Sequence, residues 1–334
     1  MIAIKMALNI YIYCNMFTLD NKLYEIICKH TFDNGMFAKV QLCDLKYYDG
    51  PIQKIIVKKF YNKNHFMDEK EILQKITNEF KSINCEFYHK ILYYDELHNI
   101  LIYKYLGKTL SDYNTKKLTV QNKLKLFKDL IDMTIILNEM HIVHNDIKPC
   151  NIVIDQKNNK AFFVDFGVSQ FIFDAYHYGK KFDTTLWSAS PEYYLINEII
   201  DQEIWILADD TINMYKKSQL YPLAGILIGL LMDDIQFYFR ILYEFVNFEG
   251  ENEAPMIVRF KNFNYKNKNN LSLALSIIFD KIKSHFKINN IDMRIYDLIV
   301  NMLQLNHNDR MDYSQIFNIL NQLIDNPNSK IIEI

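Results

Sequence analysis

Glycine and arginine are scarce in this chain. Its 334 residues include only 8 glycines, and arginine occurs only at positions 240, 259, 294 and 310, whereas glycine usually makes up about 7% of a sequence. Asparagine, lysine, isoleucine, tyrosine and phenylalanine are abundant instead, which indicates an A/T-rich coding sequence. Direct nucleic-acid binding is not expected, because the formal net charge is −2 and the basic residues are spread along the chain.

Long apolar runs are also missing. The longest, Leu220 to Met232, is too short to cross a bilayer, which takes about 20 residues, so we predict a buried helix there and no membrane span. The first residues, Met1 to Met16, are apolar, but Asn9 and Asn15 interrupt them and no small-residue cleavage site follows. We therefore expect no signal peptide, and Met16 is an alternative start.

The five cysteines form no recognisable framework. They are odd in number and scattered, with no C-x-x-C pair, so the sequence indicates neither a disulfide framework nor a zinc site. A reducing compartment is the expected location. The hydrophobic half of the composition and the 14% of aromatic residues exclude a disordered chain and leave room for two globular domains or lobes.

One linear pattern carries specific chemistry. Residues 144 to 151 read His-Asn-Asp-Ile-Lys-Pro-Cys-Asn, and Asp165-Phe166-Gly167 follows fourteen positions after the asparagine. A carboxylate at Asp146 can orient an attacking hydroxyl, and the Lys148 ammonium can meet charge that develops on a transferred phosphoryl group. Asn151 and Asp165 supply hard oxygen ligands for Mg²⁺. A chance arrangement would require all four residue types at these spacings to be accidental.

The pattern predicts that the two metal ligands converge. The apolar segments 152–154 and 161–164 flank turn residues 155–160, which is typical of a short hairpin. Asn151 and Asp165 would then lie at the open end of that hairpin.

These residues resemble the catalytic loop and Asp-Phe-Gly motif of the eukaryotic-type serine/threonine protein kinases. The resemblance covers roughly residues 22 to 325 and implies an α+β, two-lobed protein-kinase-like fold. A small antiparallel β-sheet lobe with one main helix would precede a larger, mostly helical lobe. We assign residues 1–21 to an extension, 22–105 to the ATP-binding N-lobe, 106–326 to the catalytic and substrate-binding C-lobe and 327–334 to a tail.

The N-terminal part departs from the family most clearly at its phosphate loop. Alternating strand-like segments and turns between residues 24 and 60 predict an antiparallel meander. The family's glycine-rich motif is matched only by Asp33, Gly35, Ala38 and Val40, so one glycine remains. Taken alone, Gly35 fits a hairpin turn better than a phosphate loop.

A lysine and a glutamate further along match the family's nucleotide-binding pair. Lys58 ends the apolar strand Ile55-Ile56-Val57, and Glu69 lies in a predicted amphipathic helix that opens around Asp68 and has Phe66, Leu73, Ile76 and Phe80 at helical spacing. The resemblance implies that Lys58 contacts the α- and β-phosphates and pairs with Glu69, with Glu71 as the alternative partner.

The resemblance also places the rest of the nucleotide site. Tyr103 would occupy the gatekeeper position before the hinge, and Ile56 and Val40 would enclose the adenine. The implied ATP-binding residues are Gly35, Val40, Ile56, Lys58, Glu69, Tyr105, Leu106 and Val153. Asp146 and Lys148 would be catalytic, Asn151 and Asp165 would hold the metal, and the cofactors would be ATP and Mg²⁺.

Three features concern the C-terminal part. Glu192, after Thr184, Thr185 and a Ser-Pro pair, matches the end of the activation segment, and the resemblance implies a structural ion pair with Arg310. The family's D-x-W-S-x-G motif has two imperfect matches, one starting at Glu203 and a preferred one starting at Gln219, which leads into the apolar run and makes 199–217 an insertion. Residues 237 onward predict helices, with the polar stretch 261–270 as a surface loop.

Asn145 stands where many kinases carry an arginine that grips a phosphorylated activation loop. Because asparagine has no charge, we predict activity that does not require loop phosphorylation.

Two other function classes stay open: a pseudokinase that serves as a binding scaffold, and a small-molecule kinase of the aminoglycoside or choline type on the same fold. The expected partners are protein substrates, with no nucleic acid, and the expected state is a monomer. The expected location is the cytoplasm. If the source is one of the large DNA viruses whose coding is A/T-rich, the host cytoplasm or the virion is expected.

Overall fold

The structure is a computed structural model that describes residues 16–19, 22–32, 37–47, 50–82, 89–173, 190–192, 209–246 and 266–325. The chain divides into two compact units, Met1–Leu106 and Gly107–Ile334. The first consists mainly of β-sheet and the second is mostly helical. The predicted α+β architecture, with a small antiparallel sheet before a larger helical part, is confirmed.

The first unit is built on one six-stranded sheet with the order β1-β2-β3-β4-β6-β5. All neighbouring strands are antiparallel, as the alternating pattern predicts. The strands are β1 Met16–Leu19, β2 Lys22–Thr31, β3 Ala38–Tyr47, β4 Gln53–Phe60, β5 Ile91–Asp95 and β6 Ile100–Lys104.

The register of this sheet separates two faces. Val40 lies opposite Lys58, and Ile56 lies opposite Tyr103, so these four side chains share one face. The other face carries a buried apolar cluster of Cys43, Leu45, Ile55 and Ile102. One face of β4 therefore carries the Lys58 side chain, and the other face packs in the apolar cluster that stabilises the sheet.

Helix α1 spans Lys63–Ser82 and begins earlier than the sequence pattern indicates. The predicted apolar positions Phe66, Leu73, Ile76 and Phe80 are all buried, as is Glu69. Residues Lys63 to His65 extend the helix ahead of the apolar stripe. Asn62 precedes them, and its side chain accepts a hydrogen bond from the Asn64 amide at 2.7 Å, which favours a helix start at this point.

The cysteine prediction is wrong for one pair. Cys28 and Cys43 are opposite each other on β2 and β3 and are joined by a disulfide. Their spacing of 15 residues carries no motif, because pairing depends on the strand register that brings the two positions together. Cys150 is a free thiol.

The second unit contains seven helices among the described residues. They are α2 Val120–Glu139, α3 Asp209–Ser218, α4 Leu220–Leu231, α5 Phe237–Val246, α6 Lys266–Ile288, α7 Met293–Met302 and α8 Tyr313–Asp325. Helix α2 packs against α4, α8 and strand β10, which spans Lys160–Phe163. The predicted helix at residues 120–140 is confirmed.

Short strands connect these helices to the polar loops. Strands β7 Lys108–Thr109, β9 Ile152–Asp155 and β10 form one small antiparallel sheet, and β8 Ile142–Val143 pairs with β11 Gln170–Phe171. The predicted hairpin is therefore confirmed. Gly107 enters β7 at φ +144°, and a Cβ there would lie 2.3 Å from the Ile154 carbonyl oxygen, so this position requires glycine.

Helix α4 is the centre of the second unit. Every residue from Leu220 to Leu231 is buried, which confirms the buried helix predicted for the apolar run. Its Gly225 lies against the Tyr238 ring, where a Cβ would approach Cδ1 to 2.3 Å. Within the described ranges, no helix has the length and apolar character that crossing a bilayer requires.

The surface loop predicted for residues 261–270 is wrong for its second half. Helix α6 begins at Lys266, while residues 261–265 lie outside the described ranges. Buried Leu271, Ala274, Ile278 and Ile282 recur at helical spacing. Burial of this apolar stripe stabilises the helix. The helix therefore includes residues 266–270, whose composition alone is typical of a loop.

Candidate active site

The polar loop that follows β8 is anchored by Gln219, the residue before helix α4. The His144 amide donates to Gln219 Oε1 at 2.8 Å, and Gln219 Nε2 donates to Asn138 Oδ1 at 3.0 Å. All three residues are buried. Gln219 immediately precedes α4, so the preferred match to the family's helix-starting motif is supported. The alternative match at Glu203 lies outside the described residues.

The His144 side chain is an internal support rather than a reactive group. It is fully buried, with its ring centroid 5.2 Å from that of Phe163 and 4.8 Å from that of Phe166. Nδ1 accepts the Asp146 amide hydrogen at 3.3 Å, and Nε2 lies 3.3 Å from the Val164 carbonyl oxygen. Burial lowers the pKa of His144, so the neutral imidazole with its proton on Nε2 satisfies both contacts.

Asp146, Lys148 and Asn151 form one cluster. Asp146 Oδ2 lies 2.8 Å from Lys148 Nζ and accepts a hydrogen bond from Asn151 Nδ2 at 2.7 Å. Burial alone would lower the pKa of Lys148, but the adjacent Asp146 carboxylate outweighs burial and raises that pKa above its usual value. Lys148 is therefore a cation fixed against a carboxylate, as transfer of an anionic group requires.

The Asn151 amide is oriented for a cation. Its Nδ2 donates to both the side chain and the backbone oxygen of Asp146, at 2.7 and 3.0 Å. Since both contacts use the amide nitrogen, the oxygen is the end of the side chain that suits a hard metal ion.

Asp165 lies beside Asn151, as the hairpin predicts. The Val164 amide donates to the Asn151 carbonyl at 2.9 Å, and Asp165 follows with φ 65°. A non-glycine residue at positive φ is uncommon and costs free energy, so the surrounding contacts must maintain it. An amide oxygen and a carboxylate at neighbouring positions suit Mg²⁺, which takes few protein ligands.

Asn145 connects the catalytic loop to the segment after Asp165. It also adopts positive φ, at 64°, and its Nδ2 donates to the Val168 carbonyl at 3.2 Å. Ser169 Oγ donates to the His144 carbonyl at 3.0 Å. Asparagine tolerates the left-handed conformation better than most residues. The start of the segment is therefore tied to the loop by neutral hydrogen bonds.

In the first unit, the predicted pairing of Lys58 with Glu69 is found. Lys58 Nζ lies 2.7 Å from Glu69 Oε2, and both side chains are buried. Glu71 is exposed, so the alternative partner is not needed. Tyr103 adds a contact that the sequence did not predict, because its hydroxyl donates to Glu69 Oε1 at 2.8 Å.

The other predicted nucleotide-binding residues are distributed over both units. Val40 and Ile56 share the Lys58 face of the sheet, and the Tyr105 amide donates to the Lys54 carbonyl at 3.2 Å. Leu106 ends the first unit. Val153 is buried in β9 of the second unit. Gly35 lies outside the described residues, as do Thr184 and Thr185.

The second long-range prediction concerns Glu192 and Arg310. Arg310 Nη2 and Nη1 donate to Glu192 Oε1 and Oε2 at 2.8 and 3.0 Å. Arg310 also donates to the Gln304 and Lys217 carbonyls at 2.7 and 3.0 Å. The predicted ion pair is confirmed, and its two-pronged geometry fixes the guanidinium plane.

Three relatives that are named as kinases match parts of this chain. A probable serine/threonine-protein kinase of Dictyostelium discoideum is 35% identical over 94 residues, which cover 25% of this chain and 10% of that protein. The carbon catabolite-derepressing protein kinase of Saccharomyces cerevisiae is 28% identical over 158 residues, 45% of this chain and 24% of that protein. A second probable serine/threonine-protein kinase of Dictyostelium discoideum is 25% identical over 243 residues, 70% of this chain and 13% of that protein.

This chain therefore spans about a quarter or less of the length of these relatives. The family model described as the protein kinase domain, by contrast, matches residues 29–320. That range includes Lys58, Glu69, the cluster around Asp146 and the Glu192–Arg310 pair. Because the match runs through almost the entire chain, the chain belongs to the protein kinase domain family.

Proposed function

We propose that this chain is an ATP-dependent serine/threonine protein kinase that transfers the γ-phosphate of ATP to protein hydroxyl groups. The observation that carries the proposal is the cluster in which Asp146 Oδ2 contacts both Lys148 Nζ and Asn151 Nδ2. A carboxylate, a cation and a metal-ligating amide within one loop have the functions that phosphoryl transfer requires.

Each side chain has a distinct task in this proposal. Asp146 accepts a hydrogen bond from the substrate hydroxyl and orients it for in-line attack. Lys148 offsets the negative charge that grows on the transferred phosphoryl oxygens. Asn151 and Asp165 would hold Mg²⁺, which supplies charge neutralisation at the phosphates. Lys58, oriented by Glu69, would align the α- and β-phosphates.

Serine/threonine specificity rests on Lys148 and on the relatives. Lys148 two residues after the catalytic carboxylate resembles the serine/threonine pattern of the catalytic loop, whereas tyrosine kinases carry a different loop. Two of the three relatives described above are named serine/threonine kinases.

The decisive test compares the wild-type protein with Asp146→Asn. Both are incubated with labelled ATP, Mg²⁺ and a panel of proteins. The variant keeps the shape of the side chain but removes the carboxylate, so we expect transfer to serine and threonine to fall by about a thousandfold. Asp155→Asn, in the neighbouring turn, is the control and should keep full activity.

A scaffold without catalytic activity predicts a different result. The wild-type protein would then transfer no phosphate, and Asp146→Asn would leave its biological activity intact. Transfer to a small molecule with none to any protein would favour the small-molecule kinases instead. Labelled phosphotyrosine as the main product would contradict the proposed specificity.

Activation should not depend on loop phosphorylation. Asn145 bonds the Val168 carbonyl through a neutral amide, whereas gripping a phosphate takes a cationic side chain. We expect protein made in bacteria to be active and its turnover to be unchanged by phosphatase treatment. An absolute requirement for an activating kinase would contradict this prediction.

A further inference from the structure

Glu69 receives two hydrogen bonds from two different strands. Oε2 contacts Lys58 Nζ of β4 at 2.7 Å, and Oε1 accepts from the Tyr103 hydroxyl of β6 at 2.8 Å. Glu69 itself belongs to helix α1 and has no exposed surface. The carboxylate therefore joins one helix to two strands, and each of its oxygens has a separate donor.

The Tyr103 ring is held so that its hydroxyl points at this carboxylate. The side chain is 2% exposed, and the His89 ring stacks on it at 4.5 Å between centroids with an angle of 21°. A buried ring stacked in this way has little freedom to rotate. The donor is therefore in place before any ligand binds, and the orientation of the Glu69 carboxylate depends on it.

We propose that Tyr103 is a positioning residue for phosphoryl transfer. Its hydroxyl fixes the Glu69 carboxylate, and Glu69 in turn fixes the Lys58 ammonium that meets the nucleotide phosphates. This inference rests on the proposed kinase function and adds to it a residue that acts through two others. It assigns the hydroxyl, and not the ring, to catalysis.

The effect should appear in kcat more than in KM. Bound nucleotide is held by many contacts, so a small displacement of Lys58 changes ground-state affinity little. Alignment of the phosphates matters most in the transition state, where positioning errors are costly. We therefore expect Tyr103→Phe to lower kcat about tenfold and to change KM for ATP less than threefold.

Tyr94→Phe is the matched control. Tyr94 lies on the neighbouring strand β5 and is 42% exposed, so the same loss of a hydroxyl there should leave kcat unchanged. Thermal unfolding of each variant reports whether the fold is retained. A control that lost as much activity as Tyr103→Phe would overturn the inference, because the loss would then not depend on Glu69.

A double-mutant cycle with Glu69→Ala separates positioning from a general loss of stability. If Tyr103 acts through Glu69, Tyr103→Phe lowers kcat/KM about tenfold in the wild-type background and less than twofold in the Glu69→Ala background. A fold defect would produce equal losses in both backgrounds and would overturn the inference.

The proposed function and this inference fail in different ways. A wild-type protein that transfers no phosphate overturns both. An active wild-type protein whose Tyr103→Phe variant keeps its kcat overturns only the role of Tyr103 and leaves the kinase assignment standing.

Discussion

The two buried ion pairs, Lys58–Glu69 and Glu192–Arg310, are built in opposite ways. The first joins a compact ammonium to one carboxylate oxygen and gives the other oxygen to Tyr103. In the second, a planar guanidinium donates to both oxygens of one carboxylate and to two backbone carbonyls. In the first pair the carboxylate thus divides its two oxygens between two donors, whereas in the second the guanidinium uses almost all of its donors on protein acceptors.

This difference fits the roles proposed for the two pairs, one in phosphoryl transfer and the other in stabilising the fold. Burying two charges costs several kcal/mol per ion, and the attraction repays it only when further hydrogen bonds satisfy the remaining atoms. Arg310 meets that condition and has 2% exposed surface, so its geometry is stabilising and leaves little for a ligand. Lys58 carries a compact ammonium on a flexible stem, which would suit contact with a phosphate as well as with Glu69.

The substitution Arg310→Lys should have the largest effect, which is a loss of stability. Lysine keeps the charge but cannot donate to both Glu192 oxygens and to the carbonyls of Gln304 and Lys217 at once. We expect the free energy of unfolding to fall by about 2 to 4 kcal/mol, measured by urea unfolding. The specific activity of the protein that remains folded should be close to that of the wild type.

Arg240→Lys is the control for this exchange. Arg240 pairs with Asp234 at 2.6 Å, but both side chains are largely exposed, at 52 and 40%. Because exposed pairs contribute little, the change should be within about 0.5 kcal/mol. Equal losses for the two variants would show that burial and bond number do not distinguish these pairs.

The substitution Lys58→Arg should have the second-largest effect, which is a loss of activity. Arginine keeps a cation beside Glu69, so unfolding should change only slightly, but its planar group cannot reproduce the position of a single ammonium at the phosphates. We expect kcat/KM to fall about a hundredfold, measured with labelled ATP. Lys59→Arg, at an exposed neighbouring position, should retain full activity, and a variant at Lys58 that did the same would remove that residue from the mechanism.

Features that depend on neighbouring residues in the sequence were predictable from the sequence alone, whereas contacts between distant residues were not. The hairpin around Asn151 and the helix over residues 120–140 follow from local apolar spacing, and the structure contains both. The Glu192–Arg310 pair joins residues 118 positions apart. Only the resemblance to a family predicted that pair, because no local pattern records which distant side chains meet.

Two features required information that no motif provides, and a third had only a partial signal. The Cys28–Cys43 pair depends on the register of β2 against β3. The Tyr103–Glu69 bond depends on the rotation of helix α1 about its axis over the sheet. The Gln219–His144 bond had a signal, since the sequence matched the helix-starting motif at Gln219, but a glutamine in place of an aspartate concealed its role as an acceptor for the loop.

A third carboxylate, which is half-buried, extends the comparison because its hydrogen bond is to the backbone. Asp129 lies on α2, and its Oδ2 accepts from the Ala161 amide at 3.1 Å. Burial raises the pKa of Asp129 to about 6, while the Ala161 bond and the charges of Lys160 and Lys128 lower that pKa and Asp132 raises it. Partial burial thus outweighs one neutral donor and two more distant cations.

The smallest expected effect is the pH dependence that follows from this raised pKa. Because the folded state holds the Asp129 proton more tightly than the unfolded state, stability falls as the pH rises from about 4 to about 6, and the full cost is present above that range. Asp129→Asn can still accept from Ala161 and should therefore raise the free energy of unfolding at pH 7.5 by about 1 to 2 kcal/mol, after allowance for solvent screening. At pH 4 the gain should disappear. The control Asp297→Asn changes an exposed carboxylate and should alter the free energy of unfolding by less than about 0.5 kcal/mol. A gain for Asp129→Asn that was constant from pH 4 to 7.5 would mean that ionisation of Asp129 is not its cause.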